Sequence, residues 1–214
     1  MRILLINPNT SRATTEQMAA IATSVAPADV DVVGVTAPRG VKMILTGDEL
    51  AAAEEAVVEI GIAEAAGVDG IIIGAFGDPG LAALRERVAV PVVGIAEAAI
   101  LDAASTGRPF GVATTTPALV DFIAERVREL GVAALYTGIR LTRGDPMELV
   151  ADPPLLIDAL AEAVREAIDK DGAEAVIIGG GPLGQAAIAL APRFTTPIIA
   201  PIPAAMRRLL SRLN

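Results

Sequence analysis

Four short stretches hold the residue types able to grip and polarise a small anion. They are Asn7-Pro8-Asn9-Thr10-Ser11, the loop Gly74 to Gly80 (GAFGDPG), Thr114-Thr115-Thr116-Pro117, and Gly179-Gly180-Gly181-Pro182-Leu183-Gly184. Side-chain amides, hydroxyls and unhindered glycine N–H groups donate hydrogen bonds to a carboxylate, an imide or a developing oxyanion. Asn7, Asn9 and Thr10 would supply such donors at a helix start, though an ordinary turn and cap uses the same residues. Thr114 and Thr115 read the same two ways, with Pro117 suited to a first helical turn. Asp78 is the one ionisable residue of the two glycine loops. It is the candidate base, although an Asp before Pro-Gly also supports a turn. Lys42 and Glu97 are weaker candidates, the first on a possible lid, the second in reach of an ordinary exposed helix position.

Composition narrows the chemistry further. The 214 residues include no Cys and no His, which removes thiol nucleophiles, thiolate and imidazole metal ligands and the commonest general base. No metal motif is recognisable among the carboxylates. A net charge of −9 argues against nucleic acid as a partner. No apolar run approaches the roughly 18 residues needed to span a bilayer, and MRILLINPNT does not read as a signal peptide, so a cytoplasmic protein without a membrane partner is expected. The late glycine loop matches G-x-G-x-x-G after a strand. A dinucleotide site also wants an acid about twenty residues further on, and Glu174 is the last acid of the chain.

These loops need elements to aim them. Ile71-Ile72-Ile73 and Val176-Ile177-Ile178 are apolar on both faces, the pattern of central parallel strands covered by helices. Each runs into its glycine loop and then a helical pattern, and ligands in open α/β sheets bind beyond such strand ends. The two stretches also repeat one another. AVPVVGIAEAA (89–99) is answered by TTPIIAPIPAA (195–205). The opening order of strand (Arg2 to Ile6), polar turn and helix (about 13–25) returns as strand (Phe110 to Ala113), Thr turn and helix to Leu130. Further strands are expected at Val30–Val35, Val90–Val93 and Ala133–Ile139. Helices are expected at Gly47–Ala66, Ala96–Ala104, Pro154–Asp169 and from about Pro203. The loop Thr36 to Thr46, carrying Arg39 and Lys42, is a possible lid.

The expected fold is therefore α/β, with two pseudo-symmetric parallel-sheet halves and the site in the cleft between them. One half comprises 1–98 plus 201–214 and the other 99–200, with Ser105-Thr106-Gly107-Arg108-Pro109 as the internal break. Aromatics form only 2% of the chain, so the core is Ala, Val, Ile and Leu. A mean hydropathy of +0.56 predicts a homo-oligomer that covers part of this apolar surface.

INPNTS, GAFGDPGL, VPVVGIAEAA, VATTTP and the late glycine loop together resemble the hydantoin racemase branch of the aspartate/glutamate racemase superfamily, over nearly the whole chain. The resemblance implies a cofactor-independent enzyme with two α/β halves, acting on a small anionic or imide substrate. It also implies a pair of cysteines, one per half, on opposite faces of the substrate α-carbon. Those positions fall at Ala75 and at or near Gly180, so the two-thiol mechanism does not carry over. The pocket that does carry over comprises Asn7, Asn9, Thr10, Ala75, Phe76, Asp78, Thr114, Thr115 and the amides of Gly180 and Gly181. The expected activity is isomerisation at the acidic α-carbon of a hydantoin, allantoin or amino-acid derivative. A carbanion-type lyase or decarboxylase and a binding-only paralogue are the alternatives.

Overall fold

The computed structural model describes residues 1–213. Two separate four-stranded parallel sheets form the frame, in the strand orders β2-β1-β3-β4 and β6-β5-β7-β8. The first sheet contains β1 (Arg2–Asn7), β2 (Asp31–Thr36), β3 (Gly70–Ile73) and β4 (Val92–Gly94). The second contains β5 (Phe110–Thr114), β6 (Tyr136–Leu141), β7 (Ala175–Ile178) and β8 (Ile198–Ile199). The helices are α1 (Arg12–Val25), α2 (Gly47–Glu64), α3 (Leu81–Arg85), α4 (Ile95–Ala104), α5 (Val120–Glu129), α6 (Pro146–Ala151), α7 (Pro153–Asp169), α8 (Gly184–Leu190) and α9 (Pro201–Leu213). The α/β reading with two repeated sheet halves thus matches the architecture, and Ile71–Ile73 and Val176–Ile178 occupy different sheets.

Strand periodicity divides the core into three. Ile3, Leu5, Ile72 and Val93 of the first sheet join Phe110, Val112, Ala175 and Ile177 of the second in one central cluster, with Met18 of α1, Ile100 of α4 and Met206 of α9. The alternate residues Leu4, Ile6, Ile71 and Ile73 face outward onto Val57 of α2 and Leu81 and Leu84. Val176 and Ile178 likewise face α7 and α8 through Leu160, Val164, Ala187 and Leu190. Successive side chains of a strand point to opposite faces, so a run such as Ile71-Ile72-Ile73 feeds two cores at once. Burying an Ile or Leu side chain contributes roughly 1.5–3 kcal/mol.

Several boundaries differ from the sequence expectations. Gly144-Asp145-Pro146 starts a helix as well as breaking the chain. Asp145 accepts from the N–H groups of Met147 and Glu148 and Pro146 fills the first turn. Strand β6 begins at Tyr136, because a 3-10 turn takes Ala133–Leu135. The final helix starts at Pro201 and packs against α4, α1 and β3 of the first sheet. The expected divide between 98 and 99 falls inside α4, which also contacts β7. Assigning 1–98 plus 201–214 to one half is our proposal, and Asn214 lies outside the described residues.

Candidate functional site

The turn after β1 is built around Asn7, which is completely buried. Its Nδ2 donates to Asn9 Oδ1 (2.9 Å), to the Ser11 carbonyl (3.0 Å) and to Thr15 Oγ1 (2.9 Å). The Asn9 N–H donates back to Asn7 Oδ1 at 3.2 Å. Asn9 Oδ1 also accepts from the Ser11 N–H at 2.9 Å, so the Asn9 amide group is held with its oxygen turned inward. Ser11 caps α1 by accepting from the Thr14 N–H. Asn7 and Ser11 are therefore the frame, and Asn9 is the member that reaches the cavity. Thr10 does not line that cavity. Its N–H donates to the Val41 carbonyl (2.9 Å) and ties the 37–46 loop to the turn.

The loop after β3 keeps the strand ladder for one residue, with the Gly74 N–H donating to the Ile6 carbonyl (2.8 Å). It then turns through Asp78, whose φ of 51° is the only positive value at a non-glycine among the described residues. The opposing loop after β7 approaches very closely. A Cβ on Gly181 would collide with the Gly74 carbonyl oxygen, so glycine is required for the two loops to meet. Phe76 lies against Gly179 from the other half. Thr114 Oγ1 donates to the Gly179 carbonyl at 2.7 Å and fixes the second loop to β5. Neither Thr115 nor Thr116 caps the helical turn that follows. Their hydroxyls lie 3.5 Å apart, both are buried, and both line the cavity.

The result is a cavity of about 40 Å³ where the four loops meet. Asn9, Ala75, Phe76, Thr114, Thr115, Thr116, Gly180 and Gly181 line it, whereas Asn7 and Thr10, expected in the same pocket, do not. Its roof is apolar: Met43, Ile44 and Leu50 from one half, Leu119 and Ile123 from the other. Sequence reasoning names none of these five. The apolar run Met43–Leu45 inside a loop is the signal for Met43 and Ile44, since such side chains in a connection need cover. Lys42 is exposed, and Arg39 pairs with Glu55 and Glu59 on α2. The part of this loop that lines the cavity is hydrophobic.

Asp78 does not line the cavity. Its Oδ1 accepts from the Ala96 N–H (2.9 Å) and its Oδ2 from the Glu97 N–H (2.7 Å), so it closes the N-terminus of α4 from a distance. A Cβ on Gly94 would overlap its carboxylate, which explains the glycine there. Burial pushes its pKa up to about 6, against the pull of the two N–H groups and of Arg126. Glu97 also departs from expectation. Instead of an exposed helix acid it is 4% exposed, ringed by Arg85, Arg126, Arg208 and Arg212. Burial works to raise its pKa, but Arg85 and the other arginines hold it below the usual carboxylate range. Among the described residues no cluster of three or more His, Cys, Asp or Glu is arranged to hold a metal ion.

The whole span 3–209 matches the Asp/Glu/hydantoin racemase family. The chain belongs to this family. It is 34% identical to the hydantoin racemase of Paenarthrobacter aurescens over 209 residues, which cover 97% of this chain and 89% of that one. The allantoin racemase from Klebsiella pneumoniae superposes with a TM-score of 0.92 at 32% identity, covering 99% of this chain and 86% of that one. For the allantoin racemase from Pseudomonas fluorescens the TM-score is 0.93 at 30% identity, covering 99% and 90%. This family member holds Ala75 and Gly180 on one cavity and, among the residues lining it, no ionisable side chain. None of its described helices is long and apolar enough to cross a membrane.

Proposed function

We propose that the protein is a cofactor-independent enzyme of the racemase type, acting at the acidic α-carbon of a hydantoin or allantoin. The observation carrying this reading is that Ala75 and Gly180, contributed by opposite halves, line one cavity together with Asn9, Thr115 and Thr116. The Asn9 amide and the two hydroxyls are donors for the ring carbonyls. When the α-proton leaves, the C–H electron pair moves into the adjacent carbonyl, and these donors hold the resulting enolate oxygen. The apolar roof of Met43, Ile44, Leu119 and Ile123 excludes bulk water and strengthens those bonds.

The proton needs an acceptor. No side chain lining the cavity is a base, and both carboxylate oxygens of Asp78 are bonded to α4. In this reading water takes the proton and returns it to either face. The polar side of the cavity, Asn9, Thr115 and Thr116, gives such a water its hydrogen-bond partners. Turnover is accordingly slow and indifferent to thiol reagents.

The test is exchange of the α-hydrogen in deuterated water, followed with loss of optical rotation for 5-substituted hydantoins and allantoin. Exchange above the buffer rate that iodoacetamide leaves intact is expected. Binding without exchange would favour the binding-only paralogue, and carbon dioxide or ammonia release a lyase. No binding to any of these ligands would end the assignment. The same proposal has the protein working in the cytoplasm as a homo-oligomer, in keeping with a mean hydropathy of +0.56. A monomeric mass by light scattering at micromolar concentration would reject the oligomer.

A further inference from the structure

Helix α9 carries Arg207, Arg208 and Arg212, and the last two converge on Glu97 with Arg85 of α3. Arg85 bonds both oxygens of Glu97, at 2.9 and 3.0 Å. Arg212 Nη2 adds a third contact at 3.2 Å and Arg208 Nε a fourth at 3.4 Å. Arg126 divides itself between Glu97, Asp78 and Glu129. Arg85, Arg126, Arg208 and Arg212 thus face Glu97, Asp78 and Glu129, a surplus of one positive charge in a chain whose net charge is −9. The crowding is felt at Arg212, whose pKa is lowered by burial and then by Arg85.

Arg208 commits only its Nε to Glu97. Its Nη1 and Nη2 have no partner among the described residues, and the side chain lines an open groove of about 310 Å³ between α4 and α9. Arg207, Ser105 and Ser211 line the same groove, with Asp102 bonded to Arg207 at 2.7 Å. The floor is Ala98 and Ala204, small enough to leave the guanidinium groups accessible. A planar guanidinium with two free nitrogens matches a tetrahedral oxyanion, and the excess of arginine over carboxylate favours an anion there.

We propose that the groove between α4 and α9 is a second anion site, separate from the cleft, which binds a phosphate dianion or a phosphate monoester through Arg208 and Arg207. The experiment is titration of the full chain with inorganic phosphate at low ionic strength, by calorimetry and phosphorus NMR. Methyl phosphate serves as a parallel probe to distinguish free phosphate from an ester. Saturable one-to-one binding in the millimolar range or tighter is expected. Arg208→Gln and Arg207→Gln should each weaken it about tenfold, the effect of losing one charge-assisted bond, while Thr115→Val in the cleft leaves it unchanged. Non-saturable binding overturns the proposal, as does binding that Thr115→Val abolishes or that Arg208→Gln leaves intact. If Arg208→Gln does not fold, as judged by its thermal transition, the surface variant Arg207→Gln decides, and unweakened binding there overturns the site.

Discussion

Arg126 Nε lies 3.5 Å from Oδ2 of Asp78, so the first glycine loop is tied to helix α5 as well as to the N-terminus of α4. Helix α5 and the turn before it supply Ile123 and Leu119 to the cavity roof. Asp78 therefore connects the floor of the cleft in one half to its cover in the other.

Burial of Asp78, which outweighs that connection, makes stability depend on pH in a definite direction. Asp78 has its pKa raised from 3.8 to about 6 in the folded protein. The folded state binds this proton more tightly than the unfolded state. Its contribution is fully present below pH about 4 and is lost as pH rises towards 6, on the order of 2–3 kcal/mol. Glu97, with a lowered pKa, works in the opposite sense, and its contribution disappears on acidification. The expected outcome is that Asp78→Asn removes the fall in thermal midpoint between pH 4 and 6. An unchanged profile would place the ionisation elsewhere.

The two loops make different demands on added side chains. At Gly180 a Cβ would meet only the Leu183 side chain, at 2.9 Å, and the backbone there is extended. Leu183 can move, so Ala75→Cys with Gly180→Cys should fold and accelerate α-proton exchange, now with sensitivity to alkylation. At Gly181 the obstacle is the Gly74 backbone. Gly181→Ala should cost about 1–3 kcal/mol through overpacking, read as a lower denaturation midpoint. A folded double-cysteine variant that gains no exchange on any hydantoin would show that the cleft is not a racemase cleft.

Neighbouring threonines should separate structure from binding. Thr114 Oγ1 is committed to the Gly179 carbonyl. Thr114→Val therefore leaves a buried acceptor unpaired and should lower stability by about 1–3 kcal/mol. Thr115 has only its 3.5 Å contact with Thr116. Thr115→Val should leave the melting temperature within a few degrees of the parent and weaken hydantoin binding about two- to tenfold. Reversed effects in calorimetry and ligand titration would reverse the two roles.

Removing the carboxylate at the arginine cluster should be costly. Glu97→Ala leaves Arg85, Arg126, Arg208 and Arg212 facing one another. Three of these side chains are about one-third exposed, so solvent screens part of the repulsion. A loss on the order of 2–3 kcal/mol remains, equivalent to roughly 5–10 °C in melting temperature for a chain of this length. Added salt should recover part of it. A salt-independent loss would mean that packing of the glutamate stem, not charge, is what matters.

Local pattern alone determined a good deal about this protein. The doubled-face runs Ile71–Ile73 and Val176–Ile178 require helices on both sides, and the repeated strand–loop–helix order makes two sheets of the same plan. The absence of every Cys and His removes thiol and imidazole chemistry whatever the fold. The loops holding Asn9, Ala75, Thr115 and Gly180 were also legible, because each follows the end of a buried parallel strand, while Ala75 and Gly180 themselves were singled out by the family resemblance. Tertiary structure decided what a spacing rule cannot reach. Asp78 has the residue type of a base, but its direction depends on Ala96 and Glu97, 18 and 19 residues away. Glu97 reads as an exposed acid on its own helix, and it is buried because arginines from α3, α5 and α9 converge on it. The roof residues Met43 and Ile123 meet only when the two halves close. Periodicity assigns a side chain to a face of its own element; what that face meets is set by long-range packing.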